Sequence, residues 1–113
     1  MEKGMEVERL GDIAVIIRDE NRTPAAFGGI FLNNGEIVGL YVAPEHRGKF
    51  LERRIVESLL EIAKEHGLHE ISATVNLENK VANVLLERAG LTRWNKWIKR
   101  LDSNPSVSDK EGE

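Results

Sequence analysis

Arg47, Gly48 and Lys49 carry the clearest chemical signal in this chain. They sit in "YVAPEHRGKFLERRIVESLL", residues 41 to 60, between an apolar run and a helical period. A strand that turns through a basic, glycine-containing loop into a helix is how a backbone cradle for a phosphate is built. The first amides of a helix have no intrahelical partner, and its N-terminus carries partial positive charge, so both favour an anion. Glycine lets the anion approach the main chain closely. Such cradles usually hold several glycines, and this one holds a single glycine. Candidates for proton transfer are scattered. Glu36 starts an apolar run, and the single tyrosine, Tyr41, lies inside it where a pleated core role suits it. His46 falls in the cradle, and His66 and His69 flank Gly67 at a helix exit, where they would be solvated. Three scattered histidines without cysteine make no metal-ligand pattern, so no metal site is expected.

These residues need elements to hold them. "DIAVIIRDE" (12–20) and "PAAFGGIFL" (24–32) read as strands, with Gly28-Gly29 marking a bend or a close backbone approach. "NNGE" supplies an Asn-Gly hairpin turn into a third strand, "EIVGLYVA" (36–43). Residues 49 to 66 carry a helical period, with Phe50 or Leu51, Ile55, Val56, Leu59, Leu60, Ile62 and Ala63 on one broad face. Gly67 stands where a helix-terminating glycine belongs. "EISATVN" (70–76) is a fourth strand, and Asn79 caps a second helix that runs to Ala89 and ends at Gly90. "TRWNKWIKRL" (92–101) reads as a last strand. The resulting class is α/β (α+β): a mixed, twisted sheet flanked by two helices, in one domain over residues 1–101. The polar tail 102–113 is expected to be disordered.

The bulk numbers agree. One domain fits 113 residues, and 41% hydrophobic with 31% charged residues fits a globular protein. The N-terminal residues show no secretory pattern, no apolar run is long enough for a membrane helix, and there is no cysteine; a cytoplasmic protein is expected. A net charge of −3 gives no general attraction to nucleic acid or anionic lipid.

"LYVAPEHRGK", the long helix after it, a strand and then "NKVANVLLERAGL" resemble the GNAT superfamily of acyl-CoA N-acyltransferases. The likeness covers roughly residues 11 to 101. It implies a minimal GNAT-like fold and acetyl-CoA or CoA as cofactor. In that family the strand equivalent to 36–43 splays from its neighbour at a bulge. Backbone groups around Leu40 and Val42 would then meet the pantetheine arm, while Arg47, Gly48, Lys49 and Asn79 would hold the rest. Glu36 occupies a region where members often place a catalytic carboxylate, although a hairpin-exposed surface glutamate is the plainer reading.

Three departures bear on this expectation. Phe50 falls on the first glycine of the family's Arg/Gln-x-x-Gly-x-Gly/Ala turn, and Glu52 falls on the Gly/Ala. A carboxylate ~4 Å from a phosphate costs about 4 kcal/mol at an effective dielectric near 20. In the helix's first turn the same carboxylate gains about 0.3–1 kcal/mol from the dipole, so it can fill the anion site with the protein's own charge. The tyrosine that often protonates the departing thiolate falls on Leu86, which can do no such thing. Finally, only "MEKGMEVERLG" precedes the first long strand, leaving room for one short strand and none of the family's two acceptor-site helices. The C-terminal hairpin looks reduced to one strand.

Two functions are therefore expected as alternatives. One is an acyl-CoA-dependent N-acetyltransferase with a divergent cofactor loop and weak or lost catalysis. The other is a non-catalytic binding module. Its contact surface, to a protein partner or a second copy, would be the Trp94–Arg100 strand, where Trp94 and Trp97 stand three apart among Arg93, Lys96, Lys99 and Arg100. A solvated edge strand guarded by charge is the plainer reading of that segment.

Overall fold

The computed structural model describes residues 5–76, 78–93 and 97–100. Strands β1 (Val7–Leu10), β2 (Ala14–Arg18), β3 (Pro24–Phe31) and β4 (Glu36–Val42) form an antiparallel meander. A short 3-10 turn, Pro44–His46, leads to helix α1 (Leu51–Glu65). Then come β5 (Glu70–Ala73), helix α2 (Lys80–Arg88), β6 (Thr92–Arg93) and β7 (Trp97–Arg100). The seven strands make one sheet in the order β1-β2-β3-β4-β5-β7-β6, parallel only between β4 and β5. The mixed α/β sheet with two helices is the class the periodicities predict. The tail from 102 onward lies outside the described residues.

α1 forms because its apolar positions recur at helical spacing. Leu51, Ile55, Val56, Leu59, Ile62 and Ala63 are all buried on one face. That face lies on the sheet so closely that a Cβ placed on Gly28 would come within 2.6 Å of Ile55 Cγ2. The glycine is what admits the helix. Both helices end in the same left-handed glycine motif. Leu68 N–H donates to the Ala63 carbonyl past Gly67, and Leu91 N–H donates to the Leu86 carbonyl past Gly90.

The C-terminal segment corrects one expectation. Residues 92–101 are not a single strand: β6 and β7 pair antiparallel, Thr92 with Ile98 and Arg93 with Trp97. The reversal lets β7 pair with β5 and turns Trp97 inward, 7% exposed, where its indole N–H donates to Asn83 Oδ1 at 2.9 Å. A buried indole needs that acceptor. Trp94 lies outside the described residues.

The opposite end of the sheet is pinned by charge. On edge strand β1, the two terminal nitrogens of Arg9 reach the two carboxylate oxygens of Glu65, at the end of α1, at 2.8 and 2.9 Å. The pair holds Glu65 below and Arg9 above their ordinary pKa values. Glu8 is bonded to Arg18 of β2. A turn joins β1 directly to β2, with no helix between them.

Candidate functional site

β4 and β5 start together and then part. Their one ladder pair is Glu36 with Ser72, backed by Ser72 N–H donating to the Gly35 carbonyl at 3.0 Å. Beyond Glu36 the β5-facing edge of β4 has no strand partner among the described residues. A bulge helps to open it. Gly28 on β3 faces two residues on β4, Gly39 and Leu40, with Gly39 at φ +67°. An extra residue in one strand bends it and increases its twist. The result is a groove of about 350 Å³ between β4, β5 and the inner face of α2. Its walls are residues 36–40, 73–75, and Asn79, Ala82, Leu85 and Leu86. Glu36 is half-buried at the narrow end, and its N–H is held by Asn34 Oδ1 at 2.9 Å. Asn79 is an N-cap, accepting from Ala82 N–H at 3.1 Å while also lining the groove. Leu86 is buried at the groove's inner wall.

At the other end of β4 lies the cradle. Gly48 is at φ +88° with open space around it. Phe50 is at φ +60°, ψ 30°, a left-handed conformation that is rare for a bulky residue. The backbone there has a shape that glycine adopts most readily. The ring is 54% exposed, and Phe50 gives α1 no side-chain cap. Glu52 behaves otherwise. It is 1% exposed, on the same buried face as Ile55, Val56 and Leu59, and its Oε2 has no hydrogen-bond partner among the described residues. A swung-out, solvated Glu52 is excluded by this burial.

The cradle's basic residues are turned to other tasks. Arg47 Nε–H donates to the Val42 carbonyl at 3.1 Å, folding back on β4. Lys49 Nζ stands 3.1 Å from His46 Nδ1, and His46 Nε2 stands 3.3 Å from Asp19 Oδ2. An ammonium only donates, so the ring accepts at Nδ1 and presents Nε2–H to Asp19. Asp19 lies in the turn after β2 and also accepts from Thr23 and Asn21 N–H at 2.9 Å. These bonds, Thr23's foremost, lower its pKa below the ordinary aspartate value. Nothing in the residue pattern signals this Asp19–His46–Lys49 chain, because its members come from two turns 27 residues apart. His66 is bonded to the Ile62 carbonyl at the end of α1, away from the groove. No cluster that could hold a metal exists among the described residues, and no described helix is long and apolar enough to cross a membrane.

The strands β4 and β5 part beside the N-terminus of α2 and leave an elongated groove between them. The sequence model of the acetyltransferase (GNAT) family matches residues 5–91, and the chain belongs to that family. Solved structures agree on the fold. Nourseothricin acetyltransferase is 25% identical with a TM-score of 0.58, over 70% of this chain and 49% of its own. YncA of Salmonella typhimurium, solved with its cofactor acetyl-CoA, is 21% identical at 0.59, over 80% and 65%. The GNAT family N-acetyltransferase YhbS of Escherichia coli, solved in complex with CoA, is 17% identical at 0.58, over 78% and 58%. The chain thus spans from about half to just under two-thirds of the length of these proteins. A search of curated proteins gave no match.

The residues present fit one part of such a cofactor and not another. The groove offers an unpaired strand edge and mostly apolar walls to a pantetheine arm. The cradle offers the diphosphate a buried carboxyl with an unpartnered oxygen.

Proposed function

We propose that this chain is an acyl-thioester-dependent N-acyltransferase of reduced catalytic power, taking acetyl-CoA in the groove between β4 and β5. The observation that carries this reading is the splay itself: one ladder pair, then an open strand edge. The backbone about Leu40 would meet the arm. Val42 is a poorer contact, because its carbonyl already accepts from Arg47. Gly48, Lys49 and Asn79 border the path. The bound thioester supplies an activated acyl group. Glu36, half-buried at the narrow end, is the one carboxyl lining the groove and the candidate to take a proton from an attacking amine. Leu86 cannot protonate a leaving thiolate, so that proton must come from water, and turnover is expected to be slow. Without helices between β1 and β2 the acceptor side is open, which suits an amine on a larger molecule. The domain is read as residues 1–101 and the protein as cytoplasmic.

Calorimetric titration with acetyl-CoA and with CoA tests this. A dissociation constant in the micromolar range supports it. No heat at millimolar cofactor, from protein shown to be folded by circular dichroism, sinks it. The unpartnered Glu52 oxygen favours a second reading, a non-catalytic GNAT-fold module acting through protein contacts or as a homodimer. The Trp94–Arg100 segment would serve it less well than a free strand, since Trp97 is buried and β7 lies between β5 and β6. Sedimentation of the cofactor-free protein at several concentrations checks the dimer.

A further inference from the structure

We propose that the ligand this groove selects is a pantetheine thioester without the nucleotide diphosphate. The inference rests on the groove reading above and narrows it.

The groove and the cradle make different demands on a ligand. The groove volume, about 350 Å³, lies at the lower end of the ~300–1,000 Å³ range of small-molecule pockets. It suits a slender chain of amides and methylenes. Among the described residues Glu36 is the only charged one in its lining, and no cation among them calls for a phosphate there. Its specificity comes from strand-edge amides and carbonyls, which match the two amides of pantetheine.

The cradle is where a diphosphate would have to be held, and its two basic side chains already have protein partners. Arg47 donates Nε–H to Val42. The Lys49 ammonium is drawn to His46, which is itself anchored on Asp19. Phe50 holds the left-handed turn but sets an exposed ring where bare backbone would meet the anion. Glu52 adds a buried carboxyl in the first turn of α1, with one oxygen lacking any partner among the described residues. A diphosphate arriving at that turn would meet a carboxyl that cannot turn out into water. A buried polar oxygen without a donor is a poor neighbour for an anion that itself needs donors. A pantetheine thioester ends before reaching it.

The test compares acetyl-CoA with S-acetyl-pantetheine on the intact chain by calorimetry. Acetyl-pantetheine is expected to bind as tightly as acetyl-CoA or to within about tenfold. Acetyl-CoA binding tighter by more than that factor overturns the inference and leaves the groove reading standing. Binding of neither overturns both. The double variant Phe50→Gly, Glu52→Gly gives a second measurement. Acetyl-CoA affinity is expected to rise at least about tenfold, with acetyl-pantetheine as the internal reference. An unchanged ratio overturns the inference. S-Acetyl-4′-phosphopantetheine separates the sources of such a thioester. Affinity equal to that of acetyl-pantetheine points to a carrier-borne donor, and weaker affinity points to a free one.

Discussion

The groove and the cradle occupy opposite ends of one strand, β4, yet they answer to different constraints. The groove is made of backbone. Its shape follows from where ladder pairing stops and where Gly39 inserts a bulge, and many side chains would serve there. The cradle is made of particular residues, and two of them, Phe50 and Glu52, depart from the glycine turn that the resemblance leads one to expect. Phe50 still adopts the glycine conformation and α1 still begins where a phosphate would want it. A fold preserves geometry through packing that involves the whole sheet, whereas affinity for an anion depends on a few side chains that can be lost one at a time.

That contrast can be broken most directly in the groove. Ala82 is half-buried on its α2 wall. Ala82→Trp should fill the space and weaken acetyl-pantetheine binding by about 100-fold or more, roughly 2.7 kcal/mol, as read by calorimetry. A small change would mean that binding does not depend on the groove. In the cradle, Glu52→Met removes a buried, unsatisfied oxygen while keeping much of the side-chain volume. It should raise stability by about 1–3 kcal/mol in urea denaturation. A fall would show that the carboxyl is satisfied in solution. Phe50→Gly relieves a left-handed bulky residue and should add about 1 kcal/mol, read the same way.

The smallest effect concerns Asp19. Its folded-state pKa is lowered by Thr23, His46 and Asn21. Its contribution is therefore present above the ordinary aspartate value and lost as pH falls through the lower folded one. The stability advantage of the native chain over Asp19→Asn should shrink as pH drops below about 4. Urea midpoints at three pH values check this. A constant advantage would mean that the Asp19 carboxyl titrates alike in both states.

Much of this architecture was legible because it is periodic. The helical spacing from Leu51 to Ala63, the Asn34-Gly35 turn and the two helix-ending glycines each announce a local structure that packing then keeps. The paired strands β6 and β7 were not legible. The run from Thr92 to Arg100 contains neither glycine nor proline to mark a reversal. The inward turn of Glu52 had a signal that is easy to pass over: it stands three, four and seven residues before Ile55, Val56 and Leu59. Charge suggested solvent, but helical geometry placed it inside. Nothing in the sequence could announce that Arg47 folds back on Val42 or that Asp19 supports His46, because both depend on how separate turns meet in space.

The pins on β1 have a further consequence. This strand has one free edge, and an unpaired edge is a template for another chain. Here it is held by Arg9 on Glu65 and by Glu8 on Arg18, all at partly solvated sites. Such pairs are screened within about 8–10 Å at ordinary ionic strength. Raising salt should therefore loosen β1 before the rest of the sheet, so that amide hydrogen exchange at residues 7–10 quickens while β3 stays protected. In concentrated salt the same loosening would expose the adjacent edge of β2, and strand-to-strand association between copies would begin there.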